Sequence, residues 1–390
     1  MSFASQFLGG GQPVGSIVPA PYNITDAAWL PCQGQRILRA TYPQMSACQP
    51  TVGVFTATQR TKPGTSSGSA MCVQGANFVL AGPTGASAII TTPDGVTYTP
   101  RTTPAGTTVT SLVSDGTNVV AAAAGANPLY STDAGLTWLV SATPVVTGSY
   151  GQQTIAYAPS LGANGRFLLL DQGTFTVWTS DNRGVTWTAR PNGLSASLTG
   201  ACWTGNRYIG PTSVANSLAV SSDGITWSAM LMPFSLGVNS TIVSDGAGKV
   251  LILDTSTNMA ASSQDHGSTW AKRLFGGSTS GGVIGFTGVP SFANGRFFVT
   301  PAQPNAGFGF LCSTDLQAWV LASDVLLSGA TGQPTTFAFK AGVYLTNGLS
   351  QTVYSFTEDT TRMYLPGPAQ NEAGFGSASS NNFQPFIKVQ

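Results

Sequence analysis

Ser131-Thr132-Asp133-Ala134-Gly135-Leu136-Thr137-Trp138 is the stretch that decides the fold. Its physics is local. An Asp or Asn side chain accepts hydrogen bonds from backbone N–H groups of its own turn, and Ser does so more weakly. Glycine supplies the positive φ that the turn requires. Threonine opens a strand, and tryptophan lays a large apolar face on the neighbouring hairpin, which stabilises by about 2–3 kcal/mol if fully buried. The stretch returns as Ser180-Asp181-Asn182-Arg183-Gly184-Val185-Thr186-Trp187 and as Ser263-Gln264-Asp265-His266-Gly267-Ser268-Thr269-Trp270. Shortened copies read Pro93-Asp94-Gly95-Val96-Thr97-Tyr98 and Ser222-Asp223-Gly224-Ile225-Thr226-Trp227. A worn copy reads Ser313-Thr314-Asp315-Leu316-Gln317-Ala318-Trp319.

A polar turn and an apolar run precede each copy. The runs begin at Asn77, Asn118, Asn164, Asn206, Lys249, Asn294 and Gly342, seven starts in all. Continuous apolar runs fit strands covered on both faces. Asp115-Gly116, Asn164-Gly165, Asp245-Gly246 and Asn294-Gly295 are hairpin signals. The closing aromatics recur every ~40–49 residues, the period of a four-stranded propeller blade. The expected fold is all-β: a seven-bladed β-propeller, with six blades as the alternative because the last unit lacks the motif.

Composition agrees. Of 390 residues only 8% are charged, against a usual ~25%, while 42% are hydrophobic. Gly (47) and Pro (24) punctuate many turns. A net charge of +1 sets up no long-range field for nucleic acid or an anionic membrane. The first positive side chain is Arg36, so no secretory signal is expected, and the longest apolar run, near 119–126, is far too short for a bilayer. Cys32, Cys48, Cys72, Cys202 and Cys312 are widely spaced and the chain has one histidine, His266. Free buried thiols are expected, and neither a metal nor a cofactor is.

The repeated phrase resembles the Asp box of sialidases and other BNR-repeat propellers. The resemblance implies a structural role at the blade periphery for Asp94, Gly95, Tyr98, Ser131, Asp133, Gly135, Trp138, Ser180, Asn182, Gly184, Trp187, Asp223, Gly224, Trp227, Ser263, Asp265, Gly267, Trp270, Asp315 and Trp319. Glycoside hydrolysis needs paired carboxylates or a nucleophile with a general acid. Most acidic residues stand in the boxes or in Asp-Gly turns. Asp171 and Asp254 follow apolar strands at equivalent places in two blades, where they would reach one end of the ring or end a strand in solvent. Sialidases open an arginine triad with an Arg-Ile-Pro phrase, which is absent here. Arg166, Arg207 and Arg296 recur at one blade position, which points to a shared role at a hairpin turn. Glu358 and Glu372 are the only glutamates, and His266 is a variable box position. No enzymatic activity is expected, and no catalytic residue is assigned.

The flanks differ. Gly15-Ser16-Ile17-Val18-Pro19 reads as a strand, Trp29-Leu30-Pro31-Cys32-Gln33-Gly34 as an apolar anchor before a turn, and Tyr42-Pro43-Gln44-Met45 as a helix start. Together they resemble the phage tail collar domain, with Gln33 in place of the usual Asp. Met363-Tyr364-Leu365-Pro366-Gly367 and Phe386-Ile387-Lys388-Val389 are similar to that family's later phrases. The expected organisation is a collar-like N-terminal part over 1–60, a propeller over 61–360, and a C-terminal part over 361–390 completing the collar-like domain. Two arms that merely close the ring are the alternative. Gly15, Trp29, Cys32, Gly34 and Tyr42 would be core residues of the collar-like domain.

These resemblances imply a viral protein, a bacteriophage tail fibre or tail-tip component acting in host adsorption. It would be assembled in the host cytoplasm, carried on the virion as a homotrimer, and partnered by other tail proteins and a host surface glycan. No nucleic-acid partner and no membrane insertion are expected. A glycan-cleaving virion enzyme and a purely structural baseplate or decoration protein are the competing roles. The loops opposite the boxes, at 142–151, 171–175, 234–238 and 275–282, are the expected binding stretches.

Overall fold

The computed structural model describes residues 17–21, 29–31, 36–48, 52–65, 70–143, 145, 154–171, 176–238, 240–254, 259–273, 285–286, 289–302, 309–322, 336–347, 351–364 and 383–388. Among them are seven four-stranded antiparallel sheets. Blade one runs Met71–Gln74, Asn77–Ala81, Ile89–Thr92, Thr99–Arg101. Blade two runs Val109–Ser114, Val119–Ala123, Leu129–Ser131, Leu139–Val140. Blade three has Ile155–Ala158, Arg166–Leu170, Thr176–Ser180 and Thr188–Pro191. Blade four has Cys202–Trp203, Tyr208–Pro211, Ser217–Ser221 and Ser228–Leu231. Blade five takes Ser240–Ser244, Val250–Asp254, Met259–Ser263 and Ala271–Arg273. Blade six takes Ser291–Ala293, Arg296–Val299, Phe310–Ser313 and Val320–Ala322.

The first strands touch one another in sequence and meet again between blades seven and one, so they line the centre of a closed ring. The second strands carry the apolar runs. Val119–Ala123 is buried at every position, because each second strand is sandwiched between neighbouring blades. Seven blades, not six, complete the circle.

Blade seven is assembled from both ends of the chain. Thr336–Lys340, Val343–Asn347 and Thr352–Asp359 are its first three strands. Val54–Thr61 is its fourth, pairing from Val54↔Asp359 to Thr61↔Thr352. The expected N-terminal boundary at 60 therefore moves. An eight-residue strand that alternates poorly and follows the flank belongs to the ring, since an unpaired edge on blade seven would leave its backbone groups unsatisfied.

Outside the ring, the two flanks meet. Phe383–Lys388 lies between Ile17–Pro21 and Trp29–Pro31 in one sheet. Its register is Ile17↔Ile387 on one side and Leu30↔Ile387 on the other. Arg36–Leu38 pairs with Arg362–Tyr364. A short helix, Pro43–Cys48, follows. Met45 and Met363 are buried together, with Leu30, Ile37 and Tyr42 packed on them. The flank meets the ring at one end of blade seven: Arg39 N donates to Thr361 O at 2.9 Å and Arg39 Nη2 to Val52 O at 2.8 Å.

Candidate functional site

Each repeated turn links the third and fourth strands of a blade and is held by its own hydroxyl and by an Asp or Asn side chain. In blade two, Gly135 N donates to Ser131 Oγ at 2.9 Å, and Thr137 N and Thr137 Oγ1 donate to Asp133 at 2.8 and 2.6 Å. Trp138 Nε1 returns a bond to Gly135 O at 2.9 Å. Asn182 does the same work in blade three, accepting Thr186 N at 2.9 Å and donating to Thr186 Oγ1 at 2.7 Å. In the shortened copies the working hydroxyl stands one residue earlier than the quoted motif. It is Thr92 in blade one and Ser221 in blade four, not Ser222.

These bonds stabilise the charged carboxylates. Hydrogen bonds from the N–H groups of Thr97 and Val96 hold Asp94 below the ordinary range. At Asp265 burial opposes ionisation, but the Thr269 hydroxyl, the Thr269 and Ser268 N–H groups and Ser263 outweigh it and hold the carboxyl at about 2. An acid so fully committed to its own turn is a poor general acid or base near neutral pH.

The turns also wedge the ring together. A Cβ on Gly135 would stand 2.9 Å from Val79 Cγ2 in the second strand of blade one, and one on Gly184 would stand 2.9 Å from Val120 Cγ2 in blade two. Trp138, Trp187 and Trp227 are buried in the clusters shared by successive blades. Trp270, Trp319 and Tyr98 pack against the corresponding clusters further round. In the worn copy Leu316 takes the glycine's place, with φ 62° and no exposure, and its side chain fills the gap between blades five and six.

Basic side chains from one blade reach the turn of the next. Arg166 Nη1 donates to Asp223 O at 2.8 Å, Arg207 Nε to His266 O at 2.7 Å, and Lys249 Nζ to Thr314 O at 3.1 Å. Lys340 Nζ closes the circle on Pro93 O at 2.8 Å. His266 sits inside this joint, its Nδ1 2.8 Å from Thr204 O. Between blades six and seven, Arg296 Nη2 meets Glu358 Oε1 at 2.7 Å instead. Glu358 also accepts Gly53 N at 2.7 Å and the Tyr344 hydroxyl at 3.1 Å.

The two carboxylates expected at one end of the ring or at a solvated strand end, Asp171 and Asp254, are both buried. Asp254 is 0% exposed and accepts Gly237 N at 2.6 Å, and Asp171 is 3% exposed. Asp254 thereby ties the connection that leads from blade four into blade five. The first strands enclose a central channel of about 550 Å³ whose wall includes Met71, Thr110, Tyr157, Cys202, Val243 and Phe292. Among its described lining residues the one acid is Asp245, which caps its own hairpin by accepting Ala247 N and Lys249 N. Among the described residues no group of three His, Cys, Asp or Glu is placed to hold a metal ion, and no helix is long and apolar enough to cross a membrane. Cys72, Cys202 and Cys312 are free, and burial pushes the Cys72 thiol up to about 12.

Of the expected flank core, Tyr42 is half-buried against Met45 and Met363, and Trp29 lies in a paired strand. Gly15, Cys32 and Gly34 lie outside the described residues, as does Glu372. The stretch 234–238 is described throughout. The stretch 275–282 is outside the described residues, together with 144, 146–151 and 172–175.

The first and second strands and the third and fourth join at the same end of each blade, because the strands alternate in direction. Blade seven's third strand runs toward that end, and the flank attaches there. The loops that join second to third strands, and one blade to the next, therefore lie at the end remote from the flank.

No family model matches the chain, and no curated protein does. Solved structures do. A YCF48 bound to D1 peptide superposes with a TM-score of 0.56 at 17% identity, over 79% of this chain and 98% of that one. A streptogramin B lyase gives 0.59 at 14%, over 78% and 98%. A catalytically inactive virginiamycin B lyase from Staphylococcus aureus with Quinupristin gives 0.59 at 12%, over 78% and 100%. At such identities the likeness is one of fold, and it agrees with the strand order: the chain is an all-β, seven-bladed β-propeller.

Proposed function

We propose that this chain is a bacteriophage tail fibre or tail-tip protein, a homotrimer whose collar-like flank docks to the virion and whose Asp-box propeller binds a host surface glycan. The observation that carries the proposal is the pairing of Ile17–Pro21 and Trp29–Pro31 with Phe383–Lys388. The phrases similar to the tail collar family, more than 350 residues apart, form one sheet there. A propeller inserted into an exposed loop of a small domain is tolerated because its own ends lie close together. The ring stands on that base at its turn end. Its remote end carries loops on a rigid scaffold, the usual place for recognition. The buried Asp171 and Asp254, and boxes spent on blade packing, favour binding over cleavage.

The test is competition. Excess purified chain is expected to slow adsorption of the phage to host cells. Adsorption unchanged at saturating chain would end the receptor role and leave a structural part of the particle. Release of reducing sugar from host polysaccharide would replace binding with cleavage.

A further inference from the structure

One arginine position recurs on the outer wall of the ring. Arg101, Arg190 and Arg273 each stand three residues after the closing aromatic of a turn, on the fourth strand of blades one, three and five. Arg60 holds the same register in blade seven, opposite Val353. Each donates Nε to a hydroxyl on the third strand two residues from its paired partner. The distances are 2.7 Å for Arg101 to Thr91, 3.3 Å for Arg190 to Thr179, 3.0 Å for Arg273 to Ser262 and 3.3 Å for Arg60 to Ser355. The four hydroxyl residues are all buried, and the four arginines are half-buried.

The arginine and its hydroxyl come and go as a unit. At the arginine position blades two, four and six carry Ser141, Met230 and Ala322, and at the hydroxyl position Tyr130, Val220 and Cys312. Those blades close without either partner, so a blade does not need the pair in order to fold. With Nε anchored, each guanidinium is held in one orientation while staying partly open to solvent. Among the described residues no carboxylate pairs with any of these four guanidinium groups, whereas Arg166, Arg183, Arg296 and Arg362 all meet one. The wall thus holds pre-oriented cations at intervals around the ring. Two of them, Arg60 and Arg101, stand on neighbouring blades.

We infer that this ring of arginines binds a polyanionic polysaccharide, with anionic groups spaced along one chain meeting successive guanidinium forks. The inference rests on the glycan-binding role proposed above, assigns the charge class of that glycan, and extends its contact from the remote loops onto the outer wall of the ring. A fork whose Nε is already fixed loses little freedom on meeting a sulfate, phosphate or carboxylate, and favours bidentate contact. Single solvent-accessible contacts of this kind are weak, so affinity comes from several sites engaged by one polymer.

The full chain should bind immobilised dextran sulfate and polygalacturonate, more weakly as salt is raised, and should not bind neutral dextran. The combined variant Arg60→Gln, Arg101→Gln, Arg190→Gln, Arg273→Gln should bind both anionic polymers at least ~10-fold more weakly. Arg362→Gln, at the flank end, should bind as the parent does. If the fourfold variant fails to fold, the pairs Arg60→Gln/Arg101→Gln and Arg190→Gln/Arg273→Gln are each expected to show a partial loss. Undiminished binding by a folded variant overturns the inference, as does equal binding to neutral dextran. Parental competition for host cells is scored separately, so a failed receptor role and a failed arginine ring give different results.

Discussion

Lys62 carries a buried charge at a joint of the ring, and replacing it should reveal what that charge costs. It follows directly on the strand that closes blade seven and is 1% exposed. Its ammonium donates to Asn347 Oδ1, while Asn347 Nδ2 donates to Ala70 O at 3.0 Å, so the joint between blades seven and one runs through it. Burial pushes the ammonium down from 10.5 to about 7. In the unfolded chain the same group titrates near 10.5. Below pH 7 both states hold the proton and the penalty is fully present. As pH rises from 7 toward 10.5, only the unfolded state keeps its proton, so native stability rises by ~1.4 kcal/mol per pH unit, about 5 kcal/mol in all. Lys62→Met removes the charge, but it strips Asn347 Oδ1 of a donor, at about 1–3 kcal/mol. The variant should therefore be about 2–4 kcal/mol more stable than the parent at about pH 6, and less stable than the parent near pH 10. Urea unfolding followed by tryptophan fluorescence, at several pH values across that window, measures both. A difference between the two proteins that does not move with pH would refute the buried-charge account of Lys62.

Gly135→Ala should lose about 2–4 kcal/mol, from the left-handed backbone and the collision with Val79, whereas Gly116→Ala, also at positive φ but with nothing near its Cβ, should lose only about 1 kcal/mol. Thermal melts of the pair separate the wedge from the backbone. Glu358→Ala should cost about 3–5 kcal/mol, because it removes the carboxylate facing Arg296 in a joint where the Glu358 side chain is 7% exposed. Glu358→Gln, which keeps an acceptor for Gly53 N, should cost less by the same measurement.

The ring was legible because its signals are local. The turn carries its own acceptor, glycine and aromatic within eight residues, and the apolar second strands stand out because neighbouring blades cover both faces. The shared role of Arg166, Arg207 and Arg296 was also legible, since each follows a hairpin turn at one offset. The partner in the next blade was not, because whether it is a turn carbonyl, as for Arg166 and Arg207, or the Glu358 carboxylate, as for Arg296, depends on how the blades stack. Thr92 and Ser221 were missed for a smaller reason. The hydroxyl two residues before the Asp is the one that caps the turn, and neither Pro93 nor Ser222 occupies that place. The fourfold arginine register was also open to view as Tyr98-x-x-Arg101, Trp187-x-x-Arg190 and Trp270-x-x-Arg273. Its meaning depends on the hydroxyls across the strand pair, and Arg60 follows no turn at all.

The missing seventh turn follows from the way the ring is closed. A motif that links a third strand to a fourth exists only where those strands are consecutive in the chain. In blade seven the fourth strand comes from Val54–Thr61, almost 300 residues before the third, so no turn connects them and no carboxylate, glycine or tryptophan can be supplied by one. The joint with blade six still has to be filled. Phe55, on the incoming strand, supplies the apolar face, with ring centroids 5.0 Å from Phe310 and 5.6 Å from Tyr344. Glu358 supplies the carboxylate, receiving Gly53 N and Arg296 where a turn Asp would receive its own N–H groups. Six turns set against seven apolar runs is therefore what a ring closed by strand exchange leaves in a sequence. It is not the mark of a decayed repeat. The same closure makes the flank and the ring interdependent, because pulling Val54–Thr61 out of blade seven would also remove Val52 and Gly53, which Arg39 and Glu358 hold.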